Sequence, residues 1–165
     1  IMVDTKGFTL RTGSRTFDAA SYLRIQGADT VLVQHFMRQD LDAYIEQSQI
    51  LKNTEIYADG MAIAVASDDE THHQVLIAQS ADQLLNMEGV KASFVIAILP
   101  DGRTGISARS LGDVNVQVIM EMLDGGGHLT NAATQLEMSR EQANVLLKEA
   151  IDHYLTDDTE GEELE

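Results

Sequence analysis

Ser93-Phe94-Val95-Ile96-Ala97-Ile98-Leu99 is a continuous apolar run that leads directly into Pro100-Asp101-Gly102. A short run of this kind, bounded by a turn signal, reads as a strand buried on both faces at the centre of a sheet. Proline presets its own φ, aspartate bonds its neighbouring backbone and glycine accepts positive φ, so the chain reverses here. Residues 103–109 then return as the partner strand.

The pattern extends in both directions. Upstream, residues 55–66 alternate and put Met61, Ile63 and Val65 on one face, as a half-buried strand does. Ser67-Asp68-Asp69-Glu70 is a turn able to cap a helix running to about Met87. Downstream, residues 114–123 read as a helix that stops at glycines, and 131–137 as a short strand. Ser139 with Gln142 makes a capping box. Ala143, Leu146, Leu147, Ala150, Ile151, Tyr154 and Leu155 follow at helical spacing. Residues 1–13 read as the end of a strand and a loop; helices are expected at 15–27, 30–37 and 40–52. The expected fold is α/β, a mixed β-sheet flanked by helices over 54–155, preceded by a helical connector over 14–53.

Composition narrows the function. The 165 residues carry a net charge of −16 and 44% apolar residues, with 5% aromatics and no cysteine. Disulfides and thiolate metal sites are excluded, and a reducing compartment fits. No apolar run approaches the roughly 20 residues that span a bilayer, and no signal peptide is visible. The opening Ile1 suggests a piece of a longer protein. Charge is uneven: residues 1–38 sum to +2 and the remainder to −18, six acids falling within 156–165. That last segment reads as a disordered acidic tail. A surface this acidic repels long nucleic-acid backbones, which bind through many Lys and Arg contacts.

Gly125-Gly126-Gly127-His128 carries the clearest chemistry. Three glycines strip a turn of side chains, so backbone N–H groups can approach an anion closely. His128 adds a donor or a positive charge. Arg109, at the end of its strand, offers a planar fork that fits phosphate, with Ser110 beside it. Asn115, Gln117 and Asn131 supply further polar groups. Asp4 ends an apolar strand, a position suited to a hard-metal ligand. His72 and His73 are adjacent in an expected helix, where neighbours do not share a face, and read as surface residues.

The stretches Asp4-Thr5-Lys6-Gly7-Phe8, Arg11-Thr12-Gly13-Ser14-Arg15-Thr16-Phe17, Arg109-Ser110, Asn115-Val116-Gln117, Gly125-Gly126-Gly127-His128 and Asn131-Ala132-Ala133 together resemble the DHH phosphoesterase superfamily. More closely, they resemble the C-terminal end of its GdpP-type cyclic-di-AMP phosphodiesterases. Many members have glycine after the two alanines; Thr134 here points to the cyclic-dinucleotide branch. The resemblance implies a truncated DHH lobe over 1–13, the connector over 14–53 and a DHH-associated substrate-binding domain over 54–155. It implies two manganese ions in the parent, with Asp4 as one ligand. Arg109, Ser110, Asn115, Gly125, Gly126, Gly127, His128 and Asn131 would contact a cyclic or linear dinucleotide. The Asp-His-His motif and the earlier aspartates have no counterpart, so the chain alone is expected to be inactive.

The resemblance further implies a membrane-anchored parent, with this soluble piece on the cytoplasmic face working against the missing DHH lobe, and leaves room for a homodimer. Two alternatives stay open: a short-oligonucleotide or single-strand exonuclease, and a non-catalytic nucleic-acid-binding module such as the related domain of alanyl-tRNA synthetases. The first calls for a more basic surface or stacking aromatics than this chain has. The second is opposed by the chain's acidity and by Asp4 with its connector, which fits a DHH lobe.

Overall fold

The computed structural model describes residues 1–10, 12–66 and 70–162. Arg11, the expected cap at 67–69 and residues 163–165 therefore lie outside the described residues. The chain divides into two compact units, Ile1–Asp40 and Leu41–Glu165.

The first unit holds α1 (Ser14–Ile25) and α2 (Thr30–Phe36). Asp29 caps α2, its carboxylate accepting from the N–H groups of Val31 at 2.8 Å and Leu32 at 3.2 Å. Residues 2–9 form successive turns, not the expected strand end. Their polar groups are satisfied locally: Thr5 Oγ1 donates to the Ile1 carbonyl at 2.9 Å and accepts from Phe8 N–H at 2.9 Å.

The second unit contains α3 (Leu41–Leu51), β1 (Glu55–Tyr57), β2 (Met61–Val65), α4 (Gln74–Leu84), β3 (Ala92–Ile98) and β4 (Thr104–Ser110). After these come α5 (Val116–Glu121), β5 (Gly126–His128), β6 (Asn131–Leu136) and α6 (Arg140–Glu162). One sheet runs in the order β1-β2-β3-β4-β6-β5. Of these strand pairs, β2 and β3 are parallel and joined through α4; the other pairs are antiparallel. The sheet is mixed and helix-flanked, as the sequence predicts.

The central run separates two cores. Phe94 and Ile96 point to one face and pack with Ile106, Ile119, Leu147 and Ile151 beneath α5 and α6. Val95 and Ala97 point to the other and pack with Ile77, Ala81 and Leu84 of α4 and Ile50 of α3. Phe94 and Ile96 are fully buried, and each such side chain contributes about 1.5–3 kcal/mol. Because Ile50 joins this second core, α3 packs as part of the sheet unit.

Five expectations change. Residues 55–66 are two antiparallel strands, not one: the Ala58-Asp59-Gly60 turn reverses the chain, and Glu55 pairs with Ile63. Strand β2 is also buried on both faces, because Ala62 and Ala64 lie against α4 while Met61 and Ile63 face α6. Helix α4 starts later than expected, since Thr71 bridges Ile98 and His72 N–H donates to the Ile98 carbonyl at 2.7 Å. His72 is accordingly no surface residue: it is 1% exposed, with Nδ1 2.7 Å from Glu46 Oε1. Finally, the segment from Thr156, expected as a disordered tail, continues α6 to Glu162. No helix among the described residues is long and apolar enough to cross a membrane.

Candidate ligand-binding face of the sheet

Register decides which of the candidate residues meet. Arg109 of β4 pairs with Asn131 of β6, and Asn131 pairs with His128 of β5. Directly paired residues project to the same face, so the three form one row across three strands. With strands about 4.8 Å apart, the row spans about 10 Å. Ser93 of β3 precedes Arg109 in the same row. Its hydroxyl donates to the Ala81 carbonyl at 2.7 Å, which marks this as the α4 face.

Helix α4 covers only part of that face. Over β6 and β5 it is open: Asn131, Gln135 and His128 are exposed, and Ala133 and Gly126 are half-buried. Below the row, Ser107 pairs with Ala133, and Ala133 with Gly126, so the floor carries small side chains. At the covered margin, Arg109 Nε donates to Asp82 Oδ1 at 3.2 Å and Nη1 donates to the Ala108 carbonyl at 2.8 Å. The Arg109 side chain is 15% exposed, held at the edge of an open surface.

The glycines do not form the expected open turn. Gly126 and Gly127 belong to edge strand β5, and Leu129-Thr130 makes the turn of the β5–β6 hairpin. A Cβ on Gly125 would lie 2.4 Å from the Ala133 oxygen, and one on Gly127 would lie 2.3 Å from the Asn131 oxygen. Those two glycines permit close packing of β5 on β6. Gly126 alone has open space where a side chain would be.

Neither Ser110 nor Asn115 is brought to Arg109. Adjacent strand residues project to opposite faces, so Ser110 points toward the α5–α6 side. Its hydroxyl lies 2.6 Å from the Val114 carbonyl and 3.3 Å from that of Leu129. Asn115 caps α5, accepting from Gln117 N–H at 3.2 Å, while its own N–H donates to Tyr154 Oη at 3.1 Å. Gln117 Nε2 donates to Glu121 at 2.7 Å. Asp82 was not foreseen. The available signal was an acid on α4 immediately after buried Ala81, at the margin of the apolar stripe.

Asp4 lies among the turns of the first unit with its side chain 89% exposed. Among the described residues, no group of three His, Cys, Asp or Glu is gathered where an ion could sit. What the sheet face offers is a fixed guanidinium, an imidazole and an amide in line, donors that can neutralise and orient an anion.

The match that decides the family covers residues 59–157, which fit the DHHA1 domain. This chain belongs to the DHHA1 domain family. It is 59% identical over 160 residues to the cyclic-di-AMP phosphodiesterase PdeA of Listeria monocytogenes, covering 96% of this chain and 24% of that protein. It is 61% identical over 155 residues to the cyclic-di-AMP phosphodiesterase GdpP of Geobacillus thermodenitrificans, covering 93% and 24%. The chain thus spans about a quarter of the length of these curated relatives. Its fold is shared with an exopolyphosphatase-related protein from Bacteroides fragilis, at a TM-score of 0.82 and 21% identity, covering 93% of this chain and 47% of that one. The DHHA1 domain therefore includes the whole Arg109–Asn131–His128 row.

Proposed function

We propose that this chain is the substrate-holding lobe of a manganese-dependent phosphodiesterase that opens cyclic di-AMP to linear diadenylate. The observation that carries the reading is the row Arg109–Asn131–His128 on an uncovered sheet face. It occurs in a chain 59% identical to a cyclic-di-AMP phosphodiesterase. Arg109 neutralises a phosphate at the α4 margin, and His128 and Asn131 hold it from the hairpin. Such preorganised donors position the diester and stabilise charge that develops on it.

Two bound metal ions would supply the activated water and stabilise the leaving oxygen. In this reading Asp4 contributes one ligand, and the rest come from the DHH lobe of the parent. The chain by itself binds and does not turn over. The parent is anchored in a membrane with this lobe on the cytoplasmic side. The net charge of −16 favours a small dinucleotide over long nucleic acid.

The test is equilibrium dialysis of the chain against cyclic di-AMP, paired with a manganese-supplemented hydrolysis assay followed by chromatography. Saturable binding that Arg109→Ala abolishes, without product, is the expected result. Manganese-dependent turnover by the chain alone would overturn its assignment as a binding lobe only.

A further inference from the structure

Arginine has five N–H donors. In Arg109 one of them, on Nε, is directed to Asp82 Oδ1 at 3.2 Å, and one on Nη1 to the Ala108 carbonyl at 2.8 Å. No protein atom among the described residues takes up Nη2. The guanidinium is thus held from one side while part of its fork is left for another acceptor.

The holding group is itself fixed. Ser93 and Arg109 are cross-strand partners of β3 and β4. Fully buried Ser93 grips the carbonyl of Ala81, and Arg109 engages the carboxylate of the next residue, Asp82. Two neighbours in the sheet therefore clasp two consecutive residues of α4. Sliding or rolling of the helix, which would carry Asp82 away from Arg109, is opposed by the Ser93 bond.

We infer that Asp82 is a positioning residue, which holds Arg109 through Nε so that its remaining donors are presented in one geometry to a phosphate on the open face. The inference rests on the reading of Arg109 as the phosphate-holding group. Two effects of Asp82 oppose each other. Its charge repels an incoming anion, and its hydrogen bond removes rotamer freedom that a loose arginine would lose on binding. The side chain of Asp82 is 36% exposed, so solvent screens its charge. Arg109 is far more enclosed, and its orientation dominates.

Asp82→Asn and Asp82→Ala separate the two effects, because asparagine keeps the acceptor oxygen and loses the charge. The probe is cyclic di-AMP, with Arg109→Ala as the reference and urea unfolding as a check on folding. Asp82→Asn is expected to bind within threefold of the wild type, and Asp82→Ala at least fivefold more weakly. Hydrogen exchange of the Arg109 Nε–H, read by NMR without ligand, should stay slow in Asp82→Asn and become fast in Asp82→Ala. Tighter binding by both variants, or unchanged Nε–H exchange in Asp82→Ala, would overturn the inference. Undiminished binding by Arg109→Ala would instead overturn the reading on which it rests. If the wild type does not bind the probe, the exchange measurement alone decides the role of Asp82.

Discussion

Gly125 and Thr134 are packed so closely that a Cβ on the glycine would stand 2.6 Å from the threonine Cβ. Thr134 is itself anchored, its hydroxyl donating to the Leu123 carbonyl at 2.7 Å. The triglycine is therefore shaped by two demands: close strand packing at Gly125 and Gly127, and an open surface at Gly126.

These demands separate by substitution. Gly125→Ala and Gly127→Ala force β5 away from β6 and should cost about 1–3 kcal/mol each, as overpacking does. Gly127 also sits at φ +152, toward the limit of what side chains tolerate. Gly126→Ala should stay within about 0.5 kcal/mol of the wild type, since nothing lies near its Cβ. Its methyl group would project onto the candidate face and weaken cyclic di-AMP binding. Urea unfolding and equilibrium dialysis on the same three variants check both halves.

Ser110→Ala distinguishes a structural from a ligand-contacting serine. Removing the hydroxyl takes the 2.6 Å donor from the buried Val114 carbonyl, which keeps the Val116 N–H at 3.1 Å, and should cost about 0.5–1.5 kcal/mol. Affinity of the folded variant for cyclic di-AMP should not change. A stable Ser110→Ala variant with weakened binding would return Ser110 to the site.

Sequence reading reached the sheet but not all of its joints. The Ser93–Leu99 run, the Pro100-Asp101-Gly102 reversal and the Ser139–Gln142 capping box are local features. The box appears as paired bonds, Ser139 N–H to Gln142 Oε1 at 3.1 Å and Gln142 N–H to Ser139 Oγ at 3.3 Å. Residues 55–66 read as one strand because alternation of side chains persists on both arms of a tight hairpin. His72 read as exposed because its partner Glu46 lies 26 residues away. In the candidate site, the sequence already groups Arg109, His128 and Asn131, and the strand register supplies how they meet, in one row across β4, β6 and β5. Ser110 follows Arg109 in the Arg109-Ser110 motif, and adjacency in a strand puts the two side chains on opposite faces.

Alkaline pH tests the β1–α6 contact. Tyr57 Oη lies 2.8 Å from both carboxylate oxygens of Asp152, and this bond, aided by desolvation and the nearby negative charges, raises the tyrosine pKa above its ordinary value. A folded-state pKa raised above the unfolded value means that the contribution is fully present below about pH 10 and is lost as pH rises through the folded pKa. Absorbance titration should show a late component that belongs to Tyr57. Asp152→Asn should lower the midpoint of that component, and Tyr57→Phe should remove it.

The most direct test of the central claim is an NMR titration of the chain with cyclic di-AMP, alongside linear diadenylate and AMP. The expected result is a set of shifts centred on Arg109, Asn131, His128, Gly126 and Ala133, lost in both Arg109→Ala and His128→Ala. Shifts confined to other surfaces, or shifts that persist in both variants, would contradict the assignment of this sheet face as the phosphate-holding site.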